Sequence, residues 1–124
     1  MNLEKELEQA FCLTSETTIT DDYIQKNPDL MWIKKKINLM AYVPSYILWC
    51  LKNIDSEGNL ICDYTLNALA EYGRTKDKKN SYLNFKYLCN TEQKAVVYNF
   101  LKWCKENLGF INEKQLERAL KHWA

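Results

Sequence analysis

Three glycines and two prolines in 124 residues leave this chain short of the residues that build tight turns. An all-β fold, which needs many such turns, is therefore disfavoured against helices. Histidine occurs once, as His122, and no C-x-x-C or H-x-x-x-H spacing is present. No preformed zinc motif is expected, and a metal site would require Cys50, Cys62, Cys89 and Cys104 to converge from separate places. Five cysteines, an odd number at irregular spacings, give no disulfide framework and read instead as small buried hydrophobes in a reducing cytoplasm. Charge of one sign is not in excess: 17 basic against 16 acidic side chains give a net charge of +1. A nucleic-acid binder usually carries a basic surplus, so nucleic acid is not the expected partner. The longest uncharged run, Ile37 to Leu51, is about 15 residues, short of the ~20 that a membrane span requires. The first residues, Met-Asn-Leu-Glu-Lys-Glu-Leu-Glu, are acidic and amphipathic, unlike a secretory signal.

What is present is apolar bulk. Hydrophobic residues make up 47% of the chain, with four tryptophans, eight tyrosines and four phenylalanines among them. This is enough to bury roughly two-thirds of the surface of the unfolded chain in one domain, residues 1–124. The uncharged stretch Ala41-Tyr-Val-Pro-Ser-Tyr-Ile-Leu-Trp-Cys-Leu51 has no polar face beyond Ser45. A helix of that kind must be covered on several sides. The expected fold is all-α, a single compact domain of five or six helices around a buried central helix running from Pro44 to about Asn53.

Around it, residues 2–13 read as a first helix with Leu3, Leu7, Ala10 and Phe11 on one stripe. A polar loop from Thr14 leads to a short turn capped by Asp21 or Asp22. Asn27-Pro28-Asp29 predicts the cap of a helix that carries Leu30, Met31, Ile33 and Ile37 inward, with Lys34 to Lys36 at its end. A helix over 60–72 is expected to stop at Gly73 in the position where helices favour glycine. Ser81 to Cys89 predicts a short strand or irregular arm. Asn90 and Gln93 resemble a capping box opening a helix over 91–107, closed by Gly109. A last helix, 113–123, starts after Asn112 and carries Leu116, Ala119, Leu120 and Trp123.

No catalytic signature emerges, and no cofactor is implied. His122 reads as a late-helix residue suited to the helix dipole. Asp21, Asp22 and Asp63 are better explained as caps or first-turn acids than as general acids or bases, which need a cleft and shifted pKa values. The clusters Lys34–Lys36 and Lys76–Lys79 read as solvated ends and loops. Tyrosines beside basic residues are common at protein interfaces, and Tyr72 and Tyr82 flank the polar segment from Arg74 to Asn80. Tyr72, Arg74, Lys78, Tyr82 and Asn84 are the candidate partner-binding residues.

The Ala41–Leu51 pattern, with Cys62-Asp-Tyr-Thr, Leu83-Asn-Phe-Lys-Tyr-Leu88 and Glu92-Gln93, resembles a family of small bacterial proteins of unknown function. Members show a Tyr-x-x-Pro-Ala-Tyr/Phe-Leu core helix and a Glu-Gln-led helix ending in Phe-Leu-x-x-Leu. The counterparts here are Tyr42 to Tyr46, with Ser45 where alanine is usual, and Phe100 to Cys104. The resemblance spans about residues 20–107, implies a shared fold and carries no catalytic residues. The expected function is a small cytoplasmic protein-binding module, such as an immunity or accessory protein for a bacterial toxin. The alternatives are an enzyme using Asp21, Asp22, Asp63 or Arg74, and a protein contacting nucleic acid through its lysine clusters.

Overall fold

Asn38, not Pro44, starts the central helix. The structure, a computed structural model, describes residues 2–32, 38–53, 60–74, 85–107 and 113–124, apart from the side chains of Trp32 and Arg74. Among them run seven α-helices: α1 (Leu3–Ala10), α2 (Asp21–Lys26), α3 (Leu39–Lys52), α4 (Leu60–Arg74), α5 (Phe85–Leu88), α6 (Thr91–Asn107) and α7 (Glu113–Trp123). A single 3-10 turn, Leu30–Trp32, lies between α2 and α3. The described part is all-α. No helix in it is long and apolar enough to cross a membrane.

The Asn38 side chain accepts a hydrogen bond from Met40 N at 3.0 Å and caps α3. Pro44 therefore sits inside the helix rather than at its first position. A proline there removes a backbone donor and crowds the preceding turn. In the same turn the Ser45 hydroxyl donates to Ala41 O at 2.6 Å. Every residue from Val43 to Leu51 is buried, as the lack of a polar face requires. The covering comes from α1, α2, α4 and the 3-10 turn.

Several local stops differ from expectation. Helix α1 ends at Ala10, because Cys12 takes a left-handed backbone with φ 54°. Cys12 N donates to Gln9 O and Leu13 N to Glu8 O, the paired bonds of a Schellman stop. Thr20, rather than Asp21 or Asp22, caps α2 by accepting from Tyr23 N at 3.3 Å. The two aspartates occupy its first turn, where acids suit the dipole. Asn27 serves the end of α2, its amide donating to Tyr23 O at 3.0 Å. Asp29 instead holds the 3-10 turn, accepting from Met31 N at 3.0 Å. Leu30 is buried as expected, while Ile33 and Ile37 lie outside the described residues.

Gly73 does not follow α4 but lies within it. Phe85–Leu88 forms one helical turn, not a strand. The capping box at α6 is as expected and reciprocal: Gln93 N donates to Asn90 Oδ1, and Asn90 N to Gln93 Oε1, both at 2.8 Å. The Gln93 amide reaches further, donating to Ala10 O at 3.0 Å and tying α6 to the end of α1. Val96, Val97, Phe100, Leu101 and Cys104 are buried on the inner face of α6. Helix α7 lies mainly on α4 and α6. It buries Leu116, Ala119 and Trp123, with Leu120 packed at the edge. Asn112 and Gly109 fall outside the described residues.

Candidate functional site

Of the residues expected to meet a partner, Tyr72 lies in the core. Tyr72 is 1% exposed, its ring packed against Phe85 with centroids 5.9 Å apart. It presents no surface and is corrected to a core residue. Burial pushes its hydroxyl well above the usual tyrosine range, the nearby Asp29 charge adding to this. The reason is α5: Phe85 is fully buried, stacked on Phe11 at 5.8 Å and tilted against Trp123 at 5.8 Å. An aromatic cluster from four elements thus absorbs Tyr72. Arg74 closes α4, with its side chain outside the described part. Lys78, Tyr82 and Asn84 lie outside the described residues altogether.

The acids fare differently. Asp21 and Asp22 are exposed, and Asp22 pairs with Lys26 across one helical turn at 3.2 Å. Asp63 stands in the first turn of α4, as expected. The lysine clusters 34–36 and 76–79 are outside the described residues. His122 lies in the last turn of α7, and its backbone carbonyl accepts from Lys86 Nζ.

Three of the four cysteines named for metal convergence do meet. The Cys50 thiol on α3 hydrogen-bonds to Cys62 and Thr65 on α4, with Cys104 of α6 close by. Burial first, then the Cys62 contact, drives Cys50 well above the usual thiol range, and burial does the same to Cys104. Dry, protonated thiols are poor nucleophiles and poor ligands. Cys89 sits apart near Lys94, where burial pushes it up to about 12. Among the described residues no group of three His, Cys, Asp or Glu is placed to hold a metal ion.

A second polar cluster lies where α2 meets α3. The Tyr46 hydroxyl donates to Asn27 O at 2.5 Å. Tyr23 and Tyr42 pack edge to face, 5.8 Å between centroids, both half-buried. Ser45 Oγ accepts from Ile19 N at 3.0 Å and pins the Thr14–Thr20 loop to α3. These bonds are internal and hold the loop.

A groove of about 670 Å³ opens elsewhere, between the start of α1, the end of α3 and the outer side of α6. Asn2, Leu3 and Glu4 line one side, Leu51 the base, and Asn99, Lys102, Trp103 and Glu106 the other. On α6 the four lining residues are spaced three, one and three apart, so they share one helical face. Trp103 is the largest of them. Its indole stacks on the fully buried Phe100 ring at 6.1 Å and 18°, which fixes its orientation. Lys102 Nζ lies over the Tyr98 ring, 5.4 Å from its centroid. None of the residues expected at a site lines this groove. The helical spacing of Asn99, Trp103 and Glu106 is visible in sequence, but nothing local marks it as facing α1.

Among known protein families, curated proteins and solved structures, none matches the chain. Only Val43 separates Tyr42 from Pro44, one residue fewer than in the Tyr-x-x-Pro pattern that the core helix resembles.

Proposed function

We propose that this chain is a small cytoplasmic protein-binding module, an immunity or accessory protein that accompanies a bacterial toxin, with the Trp103 groove as its contact face. The observation that carries this reading is Trp103 itself. A half-buried indole, held flat by Phe100 on the wall of an open groove, has the form of an interface anchor. Tryptophan is among the residues on which binding energy concentrates, and an anchor fixed before binding loses little entropy when it docks. The buried α3 and its surrounding helices supply the rigid support such a module needs. The enzyme alternative draws no support from the groove, which holds none of Asp21, Asp22, Asp63 or Arg74.

The test is affinity capture from the source cell with the native chain and Trp103→Ala side by side, both checked by circular dichroism. The reading expects one protein, encoded beside this chain, to be retained by the native form, to arrest growth when expressed alone and to be tolerated when this chain is co-expressed. Loss of the indole should weaken retention about thirtyfold, the scale of a hot-spot truncation. Repeated recovery of no protein, or equal retention by the variant, would overturn it.

A further inference from the structure

Two carboxylates line the Trp103 groove. Glu4 projects from the first turn of α1 and Glu106 from the last turn of α6, and both line the groove. Among the described residues neither has an ion-pair or hydrogen-bond partner. Two nearby lysines make contacts of their own. Lys102 lines the groove, but its ammonium sits over Tyr98 one turn back. Lys105 reaches α7 and pairs with Glu117 at 3.6 Å. Facing the groove are an indole, two carboxylates, Lys102 and the side-chain amides of Asn2 and Asn99, so carboxylates outnumber the one lining cation.

We propose that the Trp103 groove receives an arginine-bearing segment of a partner protein, the guanidinium lying against the indole with its N–H groups directed to Glu4 and Glu106. This rests on the protein-binding reading and names the chemistry of the partner. The argument is charge complementarity. A cation over an aromatic face is attracted by the ring's electron density, and tryptophan is the strongest such ring. Guanidinium suits the place better than ammonium, because it is planar, stacks on indole and presents forked donors to carboxylates. The two glutamates come from different helices, Glu106 on the same wall as the indole and Glu4 on the wall across from it, so a cation entering between the walls is attracted from both sides. Leu51 at the base and Leu3 on the α1 side provide apolar surface for the side-chain methylenes. The volume, about 670 Å³, exceeds one side chain, leaving room for flanking residues of the segment.

The experiment uses the full chain, labelled with ¹⁵N, and follows the Trp103 indole cross-peak, identified by its loss in Trp103→Phe. The probes are the capped peptide Arg-Gly-Arg and its citrulline counterpart, which keeps shape and loses charge. The expected result is a saturable shift of that cross-peak with arginine and none with citrulline. Glu4→Gln with Glu106→Gln should weaken the arginine response about tenfold, the scale of removing charge-assisted contacts at an open site. An unmoved cross-peak at millimolar arginine peptide, or an unchanged response in the double variant, overturns the inference. The two readings also separate. If the captured partner of the preceding subsection binds the double variant as tightly as the native chain, while Trp103→Ala loses it, the arginine inference falls and the module stands. If the arginine peptide binds as expected but no partner protein is ever recovered, the module reading falls and the cation site stands.

Discussion

The indole Nε1 of Trp123, on the last turn of α7, donates to the Leu69 carbonyl of α4 at 2.7 Å, passing over the backbone of Gly73. A Cβ at position 73 would lie 2.7 Å from that same nitrogen, 2.8 Å from Cδ1 and 2.9 Å from the Cβ of His122. Glycine is there because the indole occupies the space a side chain would take. Trp123 is itself buried and held against Phe85, so it has little freedom to step aside. Alongside it, Gln115 donates to Asn67 at 2.7 Å, and Arg118 bridges Gln115 at 2.7 Å and Glu71 at 2.9 Å. Together these contacts fix α7 on α4.

Gly73→Ala should therefore destabilise the chain by about 2 kcal/mol, through overpacking and a weakened buried hydrogen bond. Intrinsic helix propensity alone favours alanine by up to about 1 kcal/mol, so it predicts the opposite sign. Urea unfolding decides between them, and a variant as stable as the native chain would refute the packing argument.

Cys12→Gly makes a contrasting case. Cys12 holds the left-handed position of the α1 stop, which costs a residue with a Cβ about 1 kcal/mol. Its thiol is exposed, so little packing is lost. The variant should be equal to the native chain or up to about 1 kcal/mol more stable in thermal unfolding.

Ser45→Ala removes the acceptor for Ile19 N and the donor to Ala41 O together. A loss of about 1–2 kcal/mol is expected, the range for stranding a buried polar group. Amide exchange at Ile19 should accelerate while exchange in α6 follows only the global change. Unchanged protection at Ile19 would mean that the serine does not hold the loop.

Phe85→Ala should cost about 3–4 kcal/mol, because the ring is fully buried between Phe11, Tyr72 and Trp123. Near-ultraviolet circular dichroism should lose intensity with it, since three aromatic neighbours lose a shared contact. Tyr87→Ala, half exposed on the same helical turn, is the control and should change stability far less.

Alkaline pH should unfold the chain by way of its thiols. Cys89 is raised from 9.0 to about 12, and Cys50 and Cys104 are raised as well, all chiefly by burial. The folded state then binds these protons more tightly than the unfolded state. Stability is fully present below about pH 9 and falls as pH rises from there through about 12, by up to about 1.4 kcal/mol per pH unit for each such thiol. Tyr46 and Tyr72, raised above their usual 10.0, add to the fall at the upper end. Cys89→Ala should flatten the slope of urea midpoint against pH between 9 and 12; an unchanged slope would exclude that thiol.

Much of the fold was legible in the residue pattern, and the errors have identifiable causes. The Asn90–Gln93 capping box and the apolar stripe of α6 depend on residues within one or two turns of each other, and both hold. Proline at a first helical position and proline inside a helix look alike in sequence until the upstream cap at Asn38 is known. Nothing in the residue pattern marks Cys12 as a helix stop, because cysteine does not usually take that place. The burial of Tyr72 is hidden in sequence because its neighbour Phe85 belongs to a turn whose helical form the alternating residues around it conceal. The groove was not legible at all, since its walls come from Glu4 and Glu106, at opposite ends of the chain.

The sequence by itself determined that this chain is helical and that α3 is dry, because a stretch without a polar face has no other stable place. Only the tertiary structure decided which side chains meet across 26, 54 and 83 residues, as Ser45 meets Ile19, Trp123 meets Leu69 and Gln93 meets Ala10. Helix formation is settled by near neighbours, whereas a groove, a glycine contact and a shared aromatic cluster depend on how whole helices are juxtaposed.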